Sequence, residues 1–229
     1  MSVTLSTIRT RAKQRADMEK SKFVTDAEWN AFINAAYKEL YDLLVLKFED
    51  YFITENYSNT IASGSDSFAL PSNFYKVVGI DVLRSGTAGT TSASWEKLER
   101  FNFNERNRDS DEAVRNRLRF PIVRYRLLGS NVKIAPASRA EGTYRLWYVP
   151  KATELSADGD TLDEVNGYEE YVILDSAMKA ATKEENYELV QTLSAQKQLQ
   201  TERIEQAAAN RDIGDADTIT DVYAKDWFY

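Results

Sequence analysis

Asn131-Val-Lys-Ile-Ala-Pro136 and Glu141-Gly-Thr-Tyr-Arg-Leu-Trp-Tyr-Val-Pro150 stand four residues apart near the middle of the chain. Both runs alternate polar and apolar side chains, the period of a strand with one buried face, and both stop at a proline, which has no N–H to give to a sheet ladder. They read as a strand pair with capped exits. Just upstream, Ile122 to Leu128, a Gly129-Ser130-Asn131 turn and Val132 to Ala135 have the alternation and turn chemistry of a hairpin.

Working outward, residues 51 to 61 are rich in aromatic and β-branched types and run into a Ser-Gly-Ser-Asp-Ser turn cluster. Leu70-Pro-Ser-Asn-Phe-Tyr75 leads into a strand over Lys76 to Leu83, then a Gly/Thr/Ser-rich loop from Ser85 to Ser94. Trp95 to Asn107 reads as a short helix or an irregular segment. Thr143 to Val149 is a further strand, in which Trp147 and Tyr148 point to opposite faces, so at most one of them belongs in a sheet core. The proline-ended pair therefore closes a small antiparallel sheet or sandwich between about residues 51 and 155.

Helical periodicity holds both flanks. Leu5, Ile8, Ala12 and Ala16 recur at helical spacing, with Arg9, Arg11, Lys13 and Arg15 on the other faces. Thr25-Asp-Ala-Glu28 has the form of a capping box, and Val24 and Trp29 sit where a hydrophobic staple would fix the start of the helix. From there Trp29, Phe32, Ile33, Ala36, Tyr37, Leu40, Leu43 and Leu44 form one stripe ending near Lys47, whose spacing is that of a buried helix face and not of a ligand pocket. After Val165 the period returns, with Tyr171, Leu174, Met178 and Ala181 on one face and Asp163 and Glu164 where a helix dipole favours carboxylates. A last helix covers Asn186 to Arg211; its second half, Ser194 to Gln206, has few apolar positions and a narrow stripe, and a place between subunits is one expectation for it. The fold class is α+β: a bundle from the N- and C-terminal helices (1–50 and 164–211), an inserted antiparallel β domain (51–163) and an extended C-terminal arm (212–229).

Composition narrows the chemistry. The chain has 229 residues, 43% hydrophobic and 12% aromatic, enough to bury a core, and contains neither cysteine nor histidine. Thiolate nucleophiles, imidazole bases, Ser-His-Asp triads, disulfides and the usual zinc sites are thereby excluded. Carboxylate pairs remain, but no spacing in the sequence singles one out, and Asp158-Gly-Asp160 offers too few ligands for a calcium loop. No catalytic residue, metal or cofactor is expected. No apolar run approaches the roughly 20 residues that cross a bilayer, and the amino terminus lacks the basic-then-apolar pattern of a secretory signal, so no membrane association is expected. The formal charge of −7 argues against binding duplex DNA over the whole surface.

Two segments stand out as interaction surfaces. Between Arg100 and Arg126 eight arginines face Glu105, Asp109, Asp111 and Glu112, densest at Arg115-Asn-Arg-Leu-Arg119. Three readings stay open: a solvated, salt-bridged loop; a surface that docks a carboxylate-rich neighbour, in which Arg115, Arg117 and Arg119 carry the contact; and a contact with DNA phosphates. From Asp212 onward the chain has five aspartates, one lysine and a terminal Trp227-Phe228-Tyr229, an acidic arm with an aromatic anchor suited to docking on a neighbour.

The layout resembles the head-to-tail adaptor, or connector, proteins of tailed bacteriophages, similar to the tail tubular and portal-adaptor proteins of short-tailed phages. The likeness is carried by the N-terminal helix with Thr25-Asp-Ala-Glu-Trp-Asn-Ala-Phe-Ile-Asn-Ala-Ala-Tyr-Lys-Glu-Leu40, Leu70-Pro-Ser-Asn-Phe-Tyr-Lys-Val-Val-Gly-Ile80, Asn131 to Pro136, Tyr144-Arg-Leu-Trp-Tyr-Val-Pro150, and the helical close after Tyr168. The resemblance implies a non-catalytic virion protein in the neck or tail region, assembled in the host cytoplasm. It implies a homo-oligomeric ring, commonly of twelve copies, between the portal and a tail or nozzle protein, with the genome passing through its channel without sequence-specific binding. The alternatives are another tail or neck completion protein, and a carboxylate-based hydrolase of cell-wall sugars.

Overall fold

In a computed structural model the chain is described at residues 3–47, 52–105, 123–162 and 167–209. Among these residues four α-helices lie before and after eight strands in chain order, an α+β architecture as expected: α1 (Leu5–Arg15), α2 (Asp26–Lys47), β1 (Thr54–Ile61), β2 (Ser67–Ala69), β3 (Phe74–Ser85), β4 (Ser94–Lys97), β5 (Glu99–Arg100), β6 (Arg124–Leu128), β7 (Asn131–Ala135), β8 (Gly142–Pro150), α3 (Glu169–Lys183) and α4 (Tyr187–Ala209). The described residues divide into two compact units, one spanning Tyr41–Glu154 and one drawn from the flanks on either side of it.

In the flanking unit, α1, α2 and α4 start where the sequence supplies a side-chain cap, whereas Tyr168 ahead of α3 makes no such bond. Thr4 Oγ1 accepts from the Thr7 amide at 3.4 Å ahead of α1. The capping box of α2 forms reciprocally: the Thr25 amide donates to Glu28 Oε2 at 2.9 Å and the Glu28 amide to Thr25 Oγ1 at 3.3 Å, satisfying two orphan donors at once. Val24 and Trp29, the staple pair, are both buried. Leu5, Ile8 and Ala12 of α1, Ile33, Ala36, Tyr37 and Leu40 of α2, and Val172, Leu174, Ala177 and Ala181 of α3 fill the core, joined by Leu193 and Ile204 of α4. Asn34 ties the returning chain to α2: its amide donates to Leu155 O at 2.9 Å and its carbonyl accepts from the Leu155 amide at 2.8 Å, so this buried polar group is fully used.

The Tyr41–Glu154 unit is a sandwich of two four-stranded sheets, ordered β1-β8-β3-β4 and β2-β7-β6-β5, antiparallel except for the short β5–β6 pair. The hairpin expected at β6 and β7 forms in register, Tyr125 opposite Ile134 and Leu127 opposite Val132. The two proline-ended strands do not pair with each other. β7 lies in one sheet, and β8 lies in the other between β1 and β3. The three-residue 3-10 turn Ala137–Arg139 carries the chain across, and alternate side chains of both strands then meet in one core of Ile61, Phe68, Ile80, Val82, Val132, Ile134, Tyr144, Leu146 and Tyr148. The segment after Trp95 differs from the expectation at its start, being neither helix nor irregular there: Ser94–Lys97 pairs with β3 and Glu99–Arg100 with β6, and of its described residues only Phe103–Glu105 is helical, as a 3-10 turn.

Gly86 shows why the loop after β3 needs a glycine. Its φ is +83°, and a Cβ there would lie 2.2 Å from the Ser92 carbonyl oxygen, which is backbone and does not swing away. Gly86→Ala is expected to destabilise the protein by about 1–3 kcal/mol, read as a lower unfolding midpoint. Gly89→Ala, with a similar φ of +78° but open space around it, should cost less.

Candidate functional site

The residues singled out by sequence for interaction, Arg115, Arg117, Arg119, Trp227, Phe228 and Tyr229, all lie outside the described residues. Of the arginine-rich segment, the described members serve the sheet: Arg124 lies 3.7 Å from Glu99 and Arg126 donates to Phe101 O at 3.0 Å. The first contact is an ion pair and the second a hydrogen bond to a backbone carbonyl.

No group of three or more Asp or Glu placed to hold a metal occurs among the described residues. The Asp158-Gly-Asp160 segment is a turn joined to α1. Asp160 Oδ2 accepts from the Ser156 and Ala157 amides at 2.7 and 2.8 Å, and these bonds hold its carboxyl below the usual range. Asp158 pairs with Arg9 at 2.8 Å, and its carbonyl and that of Asp160 accept the first free amides of α1, Ser6 and Leu5.

The cationic face of α1 is largely consumed in the same way. Lys13 reaches Asp26 at 2.5 Å and lowers that carboxyl, and Arg15 pairs with Glu170. Arg11, exposed on the outer side, makes no ion pair with any described residue. Glu28 at the head of α2 is held down to about 2, chiefly by Lys183 of α3 at 2.5 Å and then by the capping bonds of Thr25.

Two further clusters were not anticipated. In the helical unit Asp175, 1% exposed, bonds Lys179 at 2.5 Å and Lys197 of α4 at 2.7 Å, and both lysines also reach Glu39 of α2, at 2.9 and 3.2 Å. Burial disfavours the Lys197 charge, but the Asp175 carboxylate more than offsets it, with Tyr171 contributing beneath the ammonium 4.8 Å from its ring, and the lysine is held above its ordinary value. Three helices thus share one charge network.

On the outer face of the first sheet, Arg145 donates twice to Asp81 Oδ2, at 3.0 and 2.6 Å, and the same oxygen accepts from Trp147 Nε1 at 2.8 Å. The guanidinium lies between the indoles of Trp95 and Trp147, 4.6 and 4.7 Å from their centroids. Tyr148 points inward and is buried while Trp147 faces out, as strand alternation requires. The cluster fastens β3, β4 and β8 together from outside. It has the character of a scaffold, with no nucleophile poised beside a base.

With these surfaces in place, comparison with known families decides the matter. A family model described as SU10 adaptor protein matches residues 3–222. The chain belongs to the SU10 adaptor protein family. The match takes in both helical flanks and the whole sandwich. Membership in this adaptor family supports a structural role at a phage head–tail junction, with other phage head and tail proteins as partners and the virion as location. A comparison with curated proteins returned no match. No helix among the described residues is long and apolar enough to cross a membrane.

Proposed function

We propose that this adaptor assembles into a homo-oligomeric, dodecameric ring that joins the portal of a phage capsid to a tail or nozzle protein, in the manner of the portal adaptors of short-tailed phages, and that the genome passes through its channel without sequence-specific contact. The family match over residues 3–222 carries this reading. The site chemistry is in keeping with it: the charged clusters link helices and strands to one another, and none offers a substrate cavity. The role is mechanical and interfacial, with no catalysis. The formal charge of −7 leaves a channel wall weakly repulsive to DNA, which suits a passing polyanion.

Arg115, Arg117 and Arg119 provide bidentate donors for a carboxylate-rich neighbour. The acidic arm 212–229 docks on the portal by its Trp227-Phe228-Tyr229 end. Deleting residues 212–229 is expected to abolish co-purification with portal while the circular dichroism spectrum and melting temperature stay those of the full chain. Undiminished portal binding by the deletion variant would refute the role of the arm. Negative-stain images of the protein mixed with portal test the ring itself.

A further inference from the structure

Among the described residues of the helical unit two helix faces have no neighbour over them, and they are complementary. On α4, residues 188, 192, 195, 199 and 202 recur at helical spacing on the side opposite Leu193, Lys197 and Ile204, which face inward. This outward stripe reads Glu188, Thr192, Ala195, Leu199, Glu202, with Leu199 65% and Tyr187 at the head of the helix 64% exposed. Phe23, the other exposed large apolar side chain among the described residues of this unit, lies under the Lys183 ammonium at 5.0 Å. The uncovered apolar surface is therefore concentrated on α4, and its exposed charge is acidic: Glu188, Glu202 and Glu205 against Arg203.

On α1 the charge is reversed. The helix carries Arg9, Arg11, Lys13 and Arg15 and no carboxylate, and Arg11 is the member left without a counter-ion among the described residues. Two shallow grooves of about 280 and 350 Å³ run beside it, both lined by Arg11 and Gln14, one bounded by Ile173 and the other by Thr7 and Thr10.

We infer that α4 of one copy of this chain packs its outward face on the outward face of α1 of the next copy, with Leu199 seated in the groove beside Gln14 and Glu202 paired with Arg11. Residues three apart on a helix lie on one face, so a leucine in that groove brings the carboxylate of Glu202 to the guanidinium. The contact is head-to-tail: each copy offers α4 on one side and α1 on the other, the kind of interface that closes a ring by rotation. It rests on the ring proposed above and assigns the surfaces that build it.

The test uses the full chain. By sedimentation velocity, Arg11→Glu and Glu202→Arg should each weaken self-association by at least about tenfold, as reversing one charge of a close pair does, and the double swap should regain it. Both positions are exposed, so circular dichroism of each variant should match the parent. In assembled particles Gln14→Cys combined with Leu199→Cys, in a chain with no cysteine of its own, should give a ladder of covalent multimers on oxidation that neither single variant gives. An oligomer indifferent to both single reversals, or not regained by the swap, overturns this pairing and leaves the ring standing. A chain that is monomeric both in solution and in particles removes the ring as well.

Discussion

Replacing Asp175 with alanine is expected to destabilise the helical unit by about 3–5 kcal/mol, because it takes the buried anion from the cluster and leaves two mostly buried lysines to share the half-exposed Glu39. The side chain of Asp175 is 1% exposed, whereas Lys197 and Lys179 keep 20% and 27% of theirs and Glu39 keeps 48%. The cost should follow that order: Glu39→Gln, half in water, is worth under about 1 kcal/mol. Pairing Asp175→Leu with Lys197→Met should recover most of the loss, since a packed apolar pair often matches a buried ion pair. The cluster also fixes a pH window. Lys197 sits above its ordinary value of 10.5 in the folded chain, so its contribution is complete below that pH and is lost as pH rises through the higher folded value. The parent should thus lose stability in strong alkali, and Asp175→Ala should lack that increment. Denaturant midpoints measured at pH 7 and above 10.5, with hydrogen exchange in α3 and α4, check both statements; equal midpoints for parent and Asp175→Ala at pH 7 would refute the account.

This cluster was illegible in the sequence for a definite reason. Asp175 interrupts an otherwise apolar face of α3, and its Lys179 partner at i+4 looks like any exposed helix pair. The partners that bury it, Lys197 and Glu39, lie 22 and over 100 residues away in sequence and carry no local mark. What was legible obeyed local rules. The Thr25–Glu28 box, the hairpin about Gly129-Ser130 and the inward Tyr148 beside outward Trp147 each depend on neighbours within a few positions. The partition of β7 and β8 between two sheets does not, because alternation says which face of a strand is buried and not which strand lies beside it. β4 and β5 escaped for want of apolar alternation in Ser-Trp-Glu-Lys and Glu-Arg; pairing with longer strands forms them. The arginine and aromatic positions favoured for interaction fall outside the described residues, while Arg11 and Leu199 became visible only once their helices' covered faces were known.

Tyr144→Ala is expected to cost the sandwich about 3–5 kcal/mol, the range for deleting a fully buried aromatic side chain. The residue is 0% exposed on β8, the strand between β1 and β3, and its ring stacks at 5.6 Å on Phe68 of β2, so it bridges the two sheets. Its hydroxyl donates to Ala140 O at 2.8 Å and tethers the crossing that separates β7 from β8. Tyr144→Phe isolates that tether: it keeps the stack and should cost only about 1 kcal/mol. A double-mutant cycle with Phe68→Ala should show a coupling of about 0.5–1.5 kcal/mol for the stacked pair. Burial pushes the phenol up to about 12 from 10.0, so the fold favours the neutral ring. The stability this represents is complete below pH 10 and disappears as pH climbs toward 12. Tyr144→Phe cannot ionise there, and the gap between it and the parent should therefore narrow or reverse over that interval. Unfolding midpoints of the two proteins at pH 8 and pH 11.5 decide the point, and a gap that stays constant would show that the hydroxyl titrates as freely in the fold as in the unfolded chain.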